Sequence, residues 1–398
     1  MSGVRFQVRG VRLEVRGVKK HILYVSTTLP TPGFGSSVIL YRHLKRLKDW
    51  RVTILVDDDS AAERYELPKE WRIIKTGERR WWWPPVKKRI PGLLNLRLGL
   101  LRRTCARALN SERPSAILTQ LGRNSLLAYR LSLAWRIPLS VIVHDKWQVW
   151  SKYGGADRYL DDNLAASILN HASRVWPVSL ELANSYSIRD ADRVRVLYPM
   201  PEGNIGGFAR WRDDFKTHPV IGFAGSFHTP QLKDLKAAVD ALRSLNGKLF
   251  IISKSNETIK SLLKDCPDIE YTEPLPENSQ AITYLKDTVS CILISGSIDQ
   301  RAQGWQYSFP SRLVEFMHLG VPMIITAMPG TVLSNWAKRH NWLAYAEDSG
   351  GNDISEIIKR ITEKESWEKM ADESRAVALG EFNPERIQAQ FERELVLG

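Results

Sequence analysis

Short apolar runs closed by glycine, proline or acidic residues recur along this chain, and they alternate with stretches whose leucines return every three or four positions. HILYVS (21–26) predicts a buried strand. A glycine-containing loop and a helix with Leu40, Leu44 and Leu47 on one face follow, and RVTILVDDD (51–59) predicts the next strand. AILTQ (116–120) and LSVIVHD (139–145) read as further core strands around a helix from Asn124 to Trp135. RVWPVS, a short helix and VRVLYP then close the first half. After a segment rich in proline, glycine and charge (199–217), the alternation starts again with PVIGFAG, KLFIIS, IEYTEP, VSCILIS and MIIT. Strand–helix alternation of this kind predicts an α/β protein built from two Rossmann-like, doubly wound parallel sheets with a cleft between them. The expected organisation is a basic tail over 1–19, a first domain over 20–198, a connector over 199–217, a second domain over 218–380 and a terminal helical segment over 381–398. The tail repeats VRGV, at Val8 and again at Val15.

Composition changes this picture in two ways. A hydrophobic share of 43% and a charged share of 25% are those of an ordinary globular protein. The three cysteines, Cys105, Cys266 and Cys291, are scattered and odd in number, which gives no disulfide framework or metal-ligand spacing and fits the cytoplasm. No apolar run approaches the ~18 residues that span a bilayer. The net charge of +13, by contrast, asks for an acidic partner: nucleic acid, an anionic membrane surface or a phosphorylated substrate. No nucleic-acid-binding motif is visible, so nucleic acid is not expected. Much of the excess lies between Arg79 and Leu109, where Trp81, Trp82 and Trp83 precede Lys87, Lys88, Arg89 and a basic helix with Leu94, Leu98, Leu101 and Cys105 on one side. That helix reads as a cover for its own sheet, whereas the tryptophan loop reads equally as a closing flap or as a docking point for anionic lipid, on the inner face of the membrane.

The candidate chemistry concentrates in YSFPSRLVEFMHLGVPMIIT (307–326). Ser308 and Ser311 are competent N-cap residues, Pro310 suits a helix start, Val314 and Met317 share an apolar stripe, and Gly320 and Pro322 end the helix. The amides around Ser311, Arg312 and Leu313 would then face an anion, with Glu315 one turn further, near Arg312, to accept from a pair of sugar hydroxyls. Those are the needs of a nucleoside-diphosphate site. By local sequence alone, a Ser-capped surface helix with an ion pair explains the pattern as well. His144 and Asp145 fall at a strand's C-terminal end, where open α/β sheets place their chemistry; a structural hydrogen bond is the other reading. Gly33, Gly35 and Ser36 form a loop that lets backbone approach a ligand, but the third glycine of a dinucleotide fingerprint is Val38, so a nicotinamide cofactor is not expected.

The run P-S-R-L-V-E-F-M-H-L-G-V-P-M-I resembles the donor-site signature of retaining GT-B glycosyltransferases of the group-1 kind, with Arg312 in place of the usual lysine. The resemblance implies a nucleotide-diphosphate sugar as co-substrate, no further cofactor and no metal, and transfer with retention to a glycan or lipid-linked acceptor. It places His144 near the donor sugar and the loop of Gly33, Gly35 and Ser36 at the cleft. It also implies that Gly225, Ser226 and Lys233 face the diphosphate, where relatives commonly have arginine at the position of Ser226. Tyr307 stands where many members carry a second glutamate. A terminal helix crossing back to the first domain belongs to the same pattern. A sugar-nucleotide epimerase of the same architecture, or a relative without catalysis, remains open.

Overall fold

The structure is a computed structural model describing residues 7–8, 11–12, 20–33, 36–58, 64–75, 103, 105–107, 109, 112–122, 124–147, 162–203, 206–275, 277–297, 305–347 and 351–397. Trp81, Trp82, Trp83, Lys87, Lys88, Arg89 and Gly35 lie outside the described residues. Within the segment expected as a tail, β1 (Gln7–Val8) pairs antiparallel with β2 (Val11–Arg12).

The first sheet is built from β3 (Lys20–Thr28), β4 (Trp50–Asp58), β5 (Arg72–Lys75), β6 (Ala116–Gln120), β7 (Leu139–Val143) and β8 (Arg174–Pro177). Its order is β5-β4-β3-β6-β7-β8, and every pairing is parallel. The chain builds outward from β3 to β5, then returns to place β6 on the free side of β3. The loops after β3 and β6 therefore diverge and leave a crevice at the strands' C-terminal ends. Helices α1 (Ser36–Arg46), α2 (Ser125–Trp135) and α3 (Asp162–His171) connect these strands, and α4 (Leu180–Asn184) follows β8. A central parallel strand is covered on both faces, which is why HILYV and LSVIV read as continuous apolar runs and are buried throughout.

The second sheet repeats the plan with β9 (Val220–Ala224), β10 (Lys248–Ile252), β11 (Glu270–Thr272), β12 (Cys291–Gly296), β13 (Met323–Ala327) and β14 (Tyr345–Glu347), in the order β11-β10-β9-β12-β13-β14. Its switch point lies between β9 and β12. Helices α5 (Leu232–Arg243), α6 (Glu257–Asp265), α7 (Asn278–Thr288), α8 (Ser311–Phe316), α9 (Val332–Arg339), α10 (Gly351–Ile361) and α11 (Lys364–Leu379) belong to this half. The last helix, α12 (Pro384–Leu397), packs on the first domain: Ile387, Phe391 and Leu395 are buried with Leu40, Leu44 and Trp176. Hydrogen bonds fix it there, among them one from Trp176 Nε1 to Glu394 at 2.9 Å and one between His43 Nδ1 and Gln388 Oε1 at 3.0 Å.

Several histidines are held neutral inside this scaffold. Burial pushes His43 down to about 3 and His21 to about 4, and it also lowers His144, His171 and His318. The unfolded chain binds protons near pH 6.5 that the folded chain refuses, so this stability is complete above 6.5 and is lost as pH falls towards 4. For fully buried His43 the slope is about 1.4 kcal/mol per pH unit. Glu373 has the opposite sign, because burial raises it to about 7 and its contribution falls between pH 4.5 and 7. The histidines outnumber it, so the melting temperature is expected to drop on going from pH 6.5 to pH 5. A flat or rising melting temperature over that interval would contradict their burial as neutral rings.

Candidate functional site

At the end of β9 the chain turns through Gly225, whose φ of +113° lies in the region that glycine alone enters freely. Gly225 and Ser226 are exposed on the floor of the crevice. Beside them lies Arg312. Its Nη1 donates to the carbonyl of Ala224 at 3.3 Å, and its guanidinium sits 4.9 Å from the centre of the Phe223 ring. Burial lowers Arg312 to about 10, so it still carries its charge at neutral pH. Burial, and after it that charge, lowers His228 on the same loop.

The loop is held from behind. Gln231 accepts from the His228 amide and donates to the carbonyl of Ser295, each at 3.0 Å. Asp234, fully buried in the first turn of α5, accepts from Ser295 at 2.5 Å, Thr326 at 2.6 Å and Ser297 at 2.8 Å, all on Oδ2. One carboxylate thus ties the glycine loop's helix to the ends of β12 and β13. Lys233, its neighbour, is exposed.

The segment before α8 reaches the first domain. Ser308 Oγ donates to Asp145 Oδ1 at 2.7 Å. The ammonium of Lys146 lies 5.8 Å from the centre of the Tyr307 ring and 4.3 Å from that of Tyr186, and it donates to the carbonyl of Ser185. His144 stands at the end of β7. Burial lowers its pKa, the charge of Asp145 works in the opposite direction, and its Nδ1 has no hydrogen-bond partner among the described residues. Residues 307–312 therefore touch the C-terminal strand ends of both sheets.

Three expectations need correction. Neither Ser308 nor Ser311 caps α8: Pro310 is the N-cap residue and gives no side-chain bond, while Ser308 is spent on Asp145. The amide of Leu313 is taken by the carbonyl of Pro310 at 3.0 Å, which leaves those of Ser311 and Arg312 at the head of a six-residue helix. Glu315 does not pair with Arg312. It meets Arg42 of α1 at 2.6 Å, and it also accepts from Asn278 at 3.1 Å and from the amide of Glu202 at 3.2 Å. Gly33 lies against Tyr65, whose hydroxyl would be 2.4 Å from a Cβ there. Ser36, beyond it, begins α1.

Arg42, Asn278, Lys146 and Asp234 escaped the sequence reading. Arg42 left one trace, a charge directly after the apolar run VILY of α1, and it is buried. Among the described residues, no group of three or more His, Cys, Asp or Glu side chains is placed to hold a metal ion. Likewise, none of their helices is long and apolar enough to cross a membrane.

Residues 39–199 match the family model of the glycosyl transferase 4-like domain. That match covers most of the first domain. No curated protein sequence matches the chain at a significant level. Among solved structures, Anabaena Alr3699/HepE in complex with UDP and glucose superposes with a TM-score of 0.65 at 15% identity, covering 94% of this chain and 99% of that one. A glycosyltransferase from Rickettsia africae ESF-5 gives 0.64 at 11% identity, with 94% and 98% covered. The lipopolysaccharide outer core galactosyltransferase WaaB gives 0.61 at 15% identity, with 94% and 99% covered. The fold is GT-B: the glycosyl transferase 4-like domain and a second doubly wound domain face one another, and α12 returns to the first.

Proposed function

We propose that the chain is a glycosyltransferase that moves a sugar from a nucleotide-diphosphate sugar to an acceptor held by the glycosyl transferase 4-like domain. The observation that carries this reading is the segment 307–312, which sets Arg312 beside Gly225 at one sheet's end and Ser308 on Asp145 at the other's. A donor lying across the second sheet would place its diphosphate at Gly225, Ser226 and Arg312. The planar guanidinium suits two phosphate oxygens at once and meets the charge that grows on the leaving group. In this scheme side chains answer that charge, and exposed Lys233 can add to it. The ribose diol would fall to Glu315. The transferred sugar would lie between Tyr307 and His144, whose imidazole is kept neutral by burial and can accept or donate a hydrogen bond. Retention at the anomeric carbon belongs to the same proposal.

Release of free nucleotide from UDP- and GDP-sugars, with and without an acceptor pool, tests the reading. Accelerated release on addition of acceptor supports transfer. The absence of any turnover across donors would leave a non-catalytic relative, and turnover to an epimeric sugar nucleotide would make the protein an epimerase.

For the acceptor we propose a lipid-linked or membrane-proximal glycan on the cytoplasmic face of the membrane. Three adjacent indoles, Trp81, Trp82 and Trp83, fit a headgroup region, and Lys87, Lys88 and Arg89 each add ~1 kcal/mol at an anionic surface. The protein is expected to co-sediment with anionic but not neutral vesicles, to be released by salt, and to lose binding in a Trp81/Trp82/Trp83→Ser variant. A protein that stays in the supernatant with both vesicle types would rule this out.

A further inference from the structure

Glu315 has little acceptor capacity to spare. An ionised carboxylate offers about four acceptor positions. Its Oε2 takes Arg42 Nη1 at 2.6 Å; its Oε1 takes Arg42 Nη2 at 3.3 Å, Asn278 Nδ2 at 3.1 Å and the amide of Glu202 at 3.2 Å. Of the three residues involved, only Asn278, at the head of α7, belongs to the domain that carries Glu315. Arg42 lies on α1 of the first domain, and Glu202 lies on the connector. A ribose diol brings two more hydroxyl donors, and with three donors already crowded on Oε1 only one position, on Oε2, is open, so both hydroxyls can reach this carboxylate only if a donor already present withdraws. The two longest contacts are those of Arg42 Nη2 and the Glu202 amide, and both come from the first-domain side.

Arg42 is equipped to withdraw. Its Nη1 also donates to the carbonyl of Met200 at 2.9 Å, and its Nη2 lies 2.8 Å from the carboxylate of Glu202. Leaving Glu315 would not strand the guanidinium without partners, which is the circumstance that makes breaking a buried ion pair so costly. Asn278 would stay behind to orient Glu315 for the incoming hydroxyls.

We propose that Arg42 and the ribose of an incoming nucleotide compete for Glu315, so that filling the donor site uncouples α1 and the connector from the second domain. This rests on the donor role of Glu315 set out above. Part of the nucleotide's binding energy is then spent on releasing the latch, and the closed contact and the occupied donor site exclude one another at this carboxylate. Arg42 acts as a positioning residue, through Glu315, and touches no substrate.

The test compares UDP with 2′,3′-dideoxyuridine diphosphate, which lacks the diol, by calorimetric titration of the full chain. Arg42→Met is expected to tighten UDP by about tenfold while leaving the dideoxy nucleotide unchanged. A merely structural role for Arg42 would shift both nucleotides alike, and equal shifts, or weaker UDP binding, would overturn the latch. Should Arg42→Met lose its fold, Arg42→Lys keeps a cation for Met200 and Glu202 but reaches Glu315 at one point only; its UDP affinity is expected to lie above the wild type's, and no change would count equally against the latch. Glu315→Ala separates the two levels of the argument. It is expected to abolish the preference for UDP over the dideoxy nucleotide. If that preference persists, the donor role of Glu315 fails, and the latch with it. If it vanishes while Arg42→Met binds UDP no tighter, the latch alone fails.

Discussion

Arg312→Met is expected to lower turnover by about 10²–10³-fold, the usual effect of removing one preorganised group from a developing negative charge. The same change should weaken UDP markedly and leave uridine, which has no phosphate, almost unaffected. The reason lies in where the charge is fixed. Arg312 is packed on Phe223 and anchored to the carbonyl of Ala224, beside the backbone at Gly225. A guanidinium held this way needs no rearrangement when the leaving group forms. Arg312→Lys keeps the charge but loses the fork, so it should recover only part of the rate. The anchoring bond itself contributes about 1 kcal/mol to stability, and a variant that melts a few degrees lower but turns over normally would remove Arg312 from the site.

His144→Ala carries the second large effect, a fall in kcat of about 10²–10⁴-fold, the range for a positioned proton-transfer or hydrogen-bonding side chain. Nucleotide affinity should hold, because His144 stands on the first domain, away from Gly225 and Arg312. Burial holds its pKa below 6.5, so the ring is neutral at pH 7 and the acid limb of kcat/KM should lie below that value. If kcat holds while the melting temperature falls, His144 is a packing residue and its orphaned Nδ1 has another explanation.

The architecture was legible because a doubly wound parallel sheet writes itself plainly. Strands buried on both faces, such as LSVIV and the run MIITA, need unbroken apolar residues, and connectors need proline, glycine and charge. Gly320 ends the 3₁₀ turn after α8 with φ +70°, as its place before Pro322 implies. Strand β5 was missed for the converse reason: RIIK is four residues long, sits at a sheet edge and is half-buried, so it shows neither a run nor an alternation.

The site was legible only where its chemistry is local. Arg312, Gly225 and the His144–Asp145 pair each belong to a short motif at a strand or helix end. Glu315 was singled out as a candidate, but its partners were not, because Arg42 is 273 positions away and the two meet only once the domains pack. Asp234 had the same handicap, since its three hydroxyl donors come from strands far along the chain. Local propensity also misjudged the start of α8, where Ser308 serves the opposite domain instead of its own helix.

The decisive measurement is a crystal structure of the protein soaked with UDP. The β-phosphate is expected against Arg312 and the backbone of Gly225 and Ser226, the ribose hydroxyls on Glu315, and Arg42 drawn back to Met200 and Glu202. UDP bound at the first sheet's strand ends, or lying in the cleft with Arg312 and Glu315 untouched, would contradict that arrangement.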